Sequence, residues 1–323
     1  MRFSFILCTR NSERVLDEVV ESIISQKINN KIIEIILADY QSTDNTIKIV
    51  KHISKKNKIK FIHIKCHKPG KTVALELALD LAKGQYSVIV DDDTVLQNNY
   101  IQEAEKVLAK GSWGCLGSQG LVDKNLSLPN WFNEFKGNYA VGIPLKAKDW
   151  VWGACSIINM KVWKKLRTNK FEIQLNPKRI NHTQPIEIGG EDTELSLAIY
   201  MLGYKVRFIK NLKFIHKFKQ KRLTKKYFFE NVRGVSRSIS VLEIYRLAIY
   251  RSNFLFPKIF WILSIYKIIF SCILRYIISI LKGEKFKASY NYHVIYGTIS
   301  GYMYFNKNFI KIYDNLIKIK KLV

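Results

Sequence analysis

Along the first ninety residues the apolar positions follow two alternating rhythms. Short β-branched and aromatic runs, Phe3–Cys8, Ile32–Ala38, Ile59–Ile64 and Tyr86–Val90, read as buried strands. Between them the apolar residues return every three or four positions. Val15, Leu16, Val19, Val20, Ile23 and Ile24 share one helical face, with Asn11 or Ser12 placed to cap it. Ile47, Ile49, Val50 and Ile53 share another, opened by Asp44, and Thr72–Ala82 is a third helix before Gly84. Strand and helix in strict alternation predict right-handed βαβ units and a parallel sheet.

Beyond a helix expected over Asn98–Ala109 the pattern loosens through Trp113–Gly120 into an aromatic stretch with Trp131, Phe132, Phe135, Tyr139, Trp150 and Trp152. Such rings can line a binding loop, although core packing accounts for each one singly. Val151–Asn159 then reads as a strand, Met160–Leu166 as a short helix, and the stretch after Gly189-Gly190 as a helix with Leu195, Ala198, Ile199 and Leu202 facing inward. Two short strands, Tyr204–Ile209 and Leu212–Ile215, end at His216.

The candidate chemistry sits where these elements stop. The strand Tyr86–Val90 leaves the sheet at Asp91-Asp92-Asp93. Three adjacent carboxylates at the carboxyl end of a parallel strand are costly without a cation, and hard divalent ions that keep water and bridge phosphates take such oxygens. Alternate residues converge, so Asp91 and Asp93 form the expected pair, with His216 as a third ligand. Gly189-Gly190 lets backbone approach a ligand, and Glu191-Asp192 then sets two carboxylates at a helix start, where one can accept a proton or simply cap. His67-Lys68-Pro69-Gly70-Lys71-Thr72 is not a P-loop, because the first glycine of that motif would fall on Lys65, but Lys71 remains placed to approach a phosphate.

Charge changes the picture only for the tail. The chain carries +27 overall, and residues 205–323 hold 25 Lys/Arg against 4 Asp/Glu, a net of +21. That field attracts phosphates of nucleic acid, anionic lipid or nucleotide-linked substrates alike. Acidic positions in the expected cleft, and the lack of any recognisable RRM, helix-turn-helix or zinc module, argue against a nucleic-acid-binding protein. The five scattered cysteines read as small buried hydrophobes in a reducing compartment, and the short apolar run at the N-terminus does not read as a signal peptide, so a cytoplasmic location is expected.

Residues 254–281 are the most apolar stretch. Fourteen Ile, Leu and Phe residues from Ile259 to Leu281 favour insertion by about 4–8 kcal/mol, and Lys267 and Arg275 oppose it by about 5–7. Ser264, Lys267, Ser271, Arg275 and Lys282 fall on one narrow helical stripe. A cationic stripe beside a broad apolar face favours the membrane interface over a packed or dimer helix and over a true span.

Together, Asp39-Tyr40-Gln41-Ser42-Thr43-Asp44-Asn45-Thr46, Asp91-Asp92-Asp93, Glu191-Asp192 and His216 resemble, in order and separation, the motifs of family 2 glycosyltransferases with the GT-A fold. The resemblance covers about residues 3–220 and, more weakly, Arg222-Leu223-Thr224, Tyr227-Phe228 and Arg233–Ser236. It implies an α/β, Rossmann-like mixed sheet flanked by helices over 1–220, and the charge and apolar stretch of residues 221–323 lead us to expect a basic helical, membrane-associated extension after it. It also implies that Thr9 and Asp39 line the base pocket of a nucleotide-sugar, a UDP-sugar first, that Asp91 lies near the ribose, that Asp93 holds Mn²⁺ or Mg²⁺ on the diphosphate, and that Asp192 is the catalytic base, with Glu191 its competitor. Two positions depart from the family pattern: Leu75-Glu76 stands where Arg-Asn is usual, and Cys8 where proline is. The implied activity is metal-dependent, inverting transfer to a glycan or lipid-linked acceptor in cell-surface polysaccharide synthesis, peripheral to the inner face of the cell membrane. Retention at the anomeric carbon, or a polyprenyl-phosphate acceptor on the same fold, is the rival chemistry.

Overall fold

The computed structural model describes residues 1–26, 32–67, 70–144, 147–176 and 188–322. Lys68 and Pro69 of the His67–Thr72 turn lie outside them. In chain order the elements are β1 (Phe3–Thr9), α1 (Leu16–Ile24), β2 (Ile32–Asp39), α2 (Thr46–Lys56), β3 (Lys60–Lys65), α3 (Lys71–Leu81), β4 (Tyr86–Asp91), β5 (Thr94–Leu96), α4 (Tyr100–Leu108) and β6 (Trp113–Val122). The short α5 (Phe132–Phe135), β7 (Ser156–Asn159), α6 (Met160–Thr168), α7 (Glu191–Met201) and β8 (Lys205–His216) follow, then α8 (Lys225–Tyr250), α9 (Pro257–Leu281), α10 (Lys285–Phe305) and α11 (Phe309–Lys320).

Among the described residues the eight strands belong to one mixed sheet in the order β3-β2-β1-β4-β7-β6-β8-β5. β3, β2, β1 and β4 run parallel, as alternation with helices requires, and their central residues Phe5, Ile6, Leu7, Ile35, Ile36, Leu37, Val88 and Val90 are fully buried. Each such side chain contributes about 1.5–3 kcal/mol relative to exposure, so this half of the sheet is a stable floor for whatever its strand ends carry.

The far half departs from expectation. Trp113–Gly120, expected to be irregular, is most of the ten-residue β6, paired to β7 and β8. Its three glycines hide the strand rhythm, and two of them are there for packing. A Cβ at Gly117 would stand 2.6 Å from the Val151 side chain, and one at Gly120 would collide with the Ala140 carbonyl. Only Ser156–Asn159 of the expected strand Val151–Asn159 is extended into the sheet, as β7. The two strands expected before His216 are one, β8, whose pairing with β6 shifts register between Ser118 and Gln119. Nor do Asn11 and Ser12 cap α1, whose first residue follows Val15 with no side-chain cap, because Ser12 is used elsewhere.

The chain forms two compact units: Met1–Ser127, Tyr139–Lys170 and Tyr204–Phe218 make the sheet unit, while Leu128–Asn138, Phe171–Gly203 and Lys219–Val323 make a helical one. Within the helical unit α10 lies against α8 so closely that a Cβ at Gly297 would meet the Arg233 carbonyl at 2.6 Å, and one at Gly301 would collide with that of Arg237. Half-buried Trp131 packs on Phe228 and Phe286, and half-buried Phe135 on Phe228, Phe286 and Tyr290, so these aromatics serve packing within the helical unit. Trp152 is likewise buried in the sheet unit, its indole N–H donating to the Ser118 carbonyl at 2.8 Å. All five cysteines are free thiols, and burial, the main cause, pushes that of Cys8 up to about 12.

Candidate active site

β1, β2 and β4 bring Thr9, Asp39 and Asp91 to the same end of the sheet, because they are parallel and in register: Thr9 pairs with Asp39 and Cys8 with Asp91. The carboxylates are then told apart by where the strand stops, since Asp91 is the last residue of β4 and Asp92 and Asp93 lie in the turn that leads to β5. Asp91 meets Lys71 at 2.5 Å, so the first turn of α3 supplies a cation to the strand end. Asp92 turns the other way, accepting hydrogen bonds from the Thr9 hydroxyl at 2.7 Å and from that of Ser12. Burial raises the Asp92 pKa despite those two donors, and the charges of Asp93 and Asp91 add to the rise. Asp92 therefore ties the end of β1 to the end of β4. Asp39, almost fully buried, accepts the Ser42 N–H with both oxygens at 3.2 and 3.3 Å and has His63 Nε2 at 3.8 Å, which shapes the loop after β2.

Asp93 and His216 meet through sheet register. β5 pairs antiparallel with β8, Thr94 opposite His216, so the residue before Thr94 stands beside the imidazole. His216 Nε2 is 3.2 Å from Asp93 Oδ1, while Nδ1 is 2.8 Å from the Tyr139 carbonyl oxygen. A carbonyl can only accept, so Nδ1 carries a proton. Nε2 is buried and, close as it is to the carboxylate, makes no hydrogen bond. An imidazole oriented by a backbone carbonyl at one nitrogen, with the other nitrogen beside a carboxylate, is how proteins present histidine to a metal. Asp93 and His216 therefore fit a divalent cation, and no three His, Cys, Asp or Glu side chains among the described residues form a closed cage for one. Two protein ligands suit an ion that keeps water and takes phosphate oxygens for the remainder.

The second acidic group lies in the helical unit. Gly190 has φ +100°, in the left-handed region, and a Cβ there would lie 2.6 Å from the Ser238 hydroxyl, so glycine is required on both counts. Glu191 and Asp192 in the first turn of α7 are half-buried, and Asp192 Oδ1 accepts the Thr193 N–H at 2.7 Å. Two residues on, Glu194 is fully buried and accepts from the backbone N–H groups of Gln174 and Leu175, both at 2.8 Å, and from the Tyr245 hydroxyl at 2.7 Å. Glu194 anchors the helix, and Asp192 and Glu191 lie outward of it.

Four residues of these sites escaped the sequence reading: Asp92, Ser12, Tyr139 and Glu194. Spacing singles out the first, since pairing Asp91 with Asp93 leaves the residue between them to another partner. Nothing local points to Tyr139, whose contribution is a backbone carbonyl. The departure Leu75-Glu76 has a structural explanation: Leu75 is buried in α3, and Glu76 lies 3.7 Å from Arg167 of α6, which also pairs with Asp80 at 2.9 Å.

A parallel half-sheet with carboxylates at its strand ends, extended by a mixed half in which β8 ends at a histidine beside them, is the GT-A arrangement. Crystal structures of Staphylococcus aureus TarS 1–349, one in complex with UDP-GlcNAc, cover 93% of this chain and 91% of that one at TM-scores of 0.51 and 0.52, with 15–16% identity. Mannosyltransferase PcManGT from Pyrobaculum calidifontis, in complex with GDP-Man and Mn²⁺, covers 93% of this chain and 86% of that one at a TM-score of 0.57 and 15% identity. The Glycosyl transferase family 2 model matches residues 4–185, and the chain belongs to that family. By sequence it is 29% identical over 104 residues to the poly(ribitol-phosphate) beta-N-acetylglucosaminyltransferase TarS of S. aureus, covering 32% of this chain and 18% of that protein. It is 37% identical over 114 residues, 32% of this chain and 42% of the other, to the Escherichia coli UDP-Glc:alpha-D-GlcNAc-diphosphoundecaprenol beta-1,3-glucosyltransferase WfaP. The matched segments thus span less than half of either relative.

Proposed function

We propose that the chain transfers a sugar from a UDP-sugar to a hydroxyl of a glycan or lipid-linked acceptor in cell-surface polysaccharide biosynthesis, with Mn²⁺ or Mg²⁺ and with inversion at the anomeric carbon. The observation that carries this reading is the Asp93–His216 pair, 3.2 Å apart at the strand ends with the imidazole tautomer held by Tyr139. Asp93 and His216 would hold the cation, with Asp91 adjoining, and the cation would supply neutralising charge for a departing diphosphate. Lys71, beside Asp91, adds a positive charge on the same side. Thr9 and Asp39 end the two strands on the nucleoside side, and their present bonds to Asp92 and Ser42 hold that rim in shape.

The acceptor proton is assigned to Asp192, with Glu191 as the alternative. A positioned base contributes about 10²–10⁴-fold. Residues 1–220 would carry the transfer and the basic helical residues 221–323 would serve it as an extension, on the cytoplasmic side of the membrane, where nucleotide-sugars are made.

Thermal-shift titration with a panel of nucleotide-sugars, with and without Mn²⁺, tests the reading, since a ligand at 100 times its Kd adds about 2.7 kcal/mol. Stabilisation by a UDP-sugar only with the metal is expected, and abolished in His216→Ala. Absence of any shift across the panel would refute it.

A further inference from the structure

The face of α9 that its own chain leaves uncovered has a definite character. Trp261, Ile265, Cys272 and Ser279 are its buried positions, on one narrow arc of the helix. Trp261 donates its indole N–H to the Ser240 carbonyl of α8 at 2.8 Å and packs with tilted rings against Tyr302 of α10 and Phe309 of α11. On the opposite side Ile259, Leu263, Tyr266, Phe270, Ile277 and Leu281 are 46–80% exposed, within about 60° of the pole facing away from the packed arc at 100° per residue. Leu255 and Phe256, just before the helix, are 90% and 63% exposed. Apolar surface of this extent on a single chain marks an interaction site.

The polar residues beside that face select the occupant. Lys267 is exposed at the edge of that face, within about 50° of the pole, where its stem can carry the charge to the surface. Arg251 lies before the N-terminal end, and Lys282 and Lys285 lie past the C-terminal end, all exposed. Arg275 folds back onto the Ser271 carbonyl and hydroxyl, and Ser264 donates to Glu243 of α8, so part of the polar stripe is used inside the helical unit. Cations at the rim of an apolar face, in a tail of net +21, complement anionic headgroups above an acyl layer.

We infer that α9 lies in the plane of an anionic bilayer surface, its Leu263–Phe270–Ile277 face among the acyl chains and its flanking lysines at the headgroups. It does not span. The packed arc runs from Trp261 to Ser279, most of the helix, and a groove of about 470 Å³ along one flank is lined by Glu243, Arg246, Arg251 and Lys267. Crossing a bilayer would take that charged flank and α8 into hydrocarbon. The inference is independent of the sugar-transfer reading, so either can fail alone.

The test uses the full chain, sedimented with phosphatidylcholine vesicles and with vesicles containing phosphatidylglycerol. Expected are binding to the anionic vesicles, at least about tenfold weaker binding to the neutral ones or in high salt, and release by alkaline carbonate. The variant Leu263→Glu/Phe270→Glu should lose at least about tenfold in vesicle affinity with its melting temperature and UDP-sugar shift unchanged. Unaltered vesicle binding by that variant would overturn the inference, as would resistance to carbonate. So would a wild-type dimer in light scattering that binds no vesicles and that the variant splits, which would give the face to a second copy.

Discussion

The acidic clusters of the two units meet the same problem in opposite backbone settings. In Asp91-Asp92-Asp93 the chain leaves β4 through a turn, which sends the middle carboxylate inward to the hydroxyls of Thr9 and Ser12 and leaves the outer two at the rim, beside Lys71 and His216. In Glu191-Asp192-Thr193-Glu194 a helix turns its side chains by steps of about 100°, so the inward carboxylate is the last of the series, held by two backbone N–H groups and a tyrosine hydroxyl. Each cluster spends one acid on its own scaffold. Buried acids are tolerable only where donors surround them, as the hydroxyls of Thr9 and Ser12 do at Asp92 and backbone N–H groups and the Tyr245 hydroxyl do at Glu194. An acidic cluster is thus not a set of equivalent ligands.

If the rim acids act and the inward acids hold structure, substitution separates them. The largest effect is expected for Asp93→Ala, which should lower kcat/KM by at least about 10³-fold and abolish metal-dependent donor binding while the protein stays folded, since the cation is worth several kcal/mol. Turnover at the wild-type rate without added metal would remove the metal from the strand end.

Next comes Asp192→Asn, which keeps the acceptor oxygen but cannot take a proton. It should reduce kcat at least about 10²-fold with donor affinity little changed. Near-normal kcat there, with a collapse in Glu191→Gln, would move the base one residue back.

Glu194→Ala should act on stability instead. It strands two backbone donors and the Tyr245 hydroxyl in a buried place, at a cost of about 2–3 kcal/mol read by denaturant unfolding. If it unfolds at the wild-type midpoint, the anchoring role is wrong.

The smallest effect is expected for Asp92→Asn. The amide oxygen still accepts from Thr9 and Ser12, and the negative charge that burial opposes is gone, so neutral-pH stability should hold or rise slightly and turnover should persist. A loss of activity equal to that of Asp93→Ala would erase the distinction between inward and rim acids.

Much of this was readable along the chain. The four parallel strands, the helices between them, the strand-end carboxylates and the Gly-Gly start of α7 all follow from periodicity and punctuation, which are local. β6 was not readable because Gly114, Gly117 and Gly120 erase the apolar alternation that signals a strand, and Gly117 and Gly120 are there for close approach. Ser12 could not be placed either: a serine before a helix reads as a cap, and only the fold offered it a buried carboxylate as a better partner.

The sequence by itself determined which residue types stand at the ends of which elements, and that the basic charge and the longest apolar run both belong to the tail. Those properties depend on order and spacing alone. Only the tertiary structure decided that Thr94 pairs with His216, that Tyr139 turns its carbonyl to the imidazole, that Asp92 and Glu194 are spoken for, and that one side of α9 is packed while the other is bare. Each depends on a register or contact between segments far apart in the chain, and no local pattern encodes which distant surface a side chain will meet.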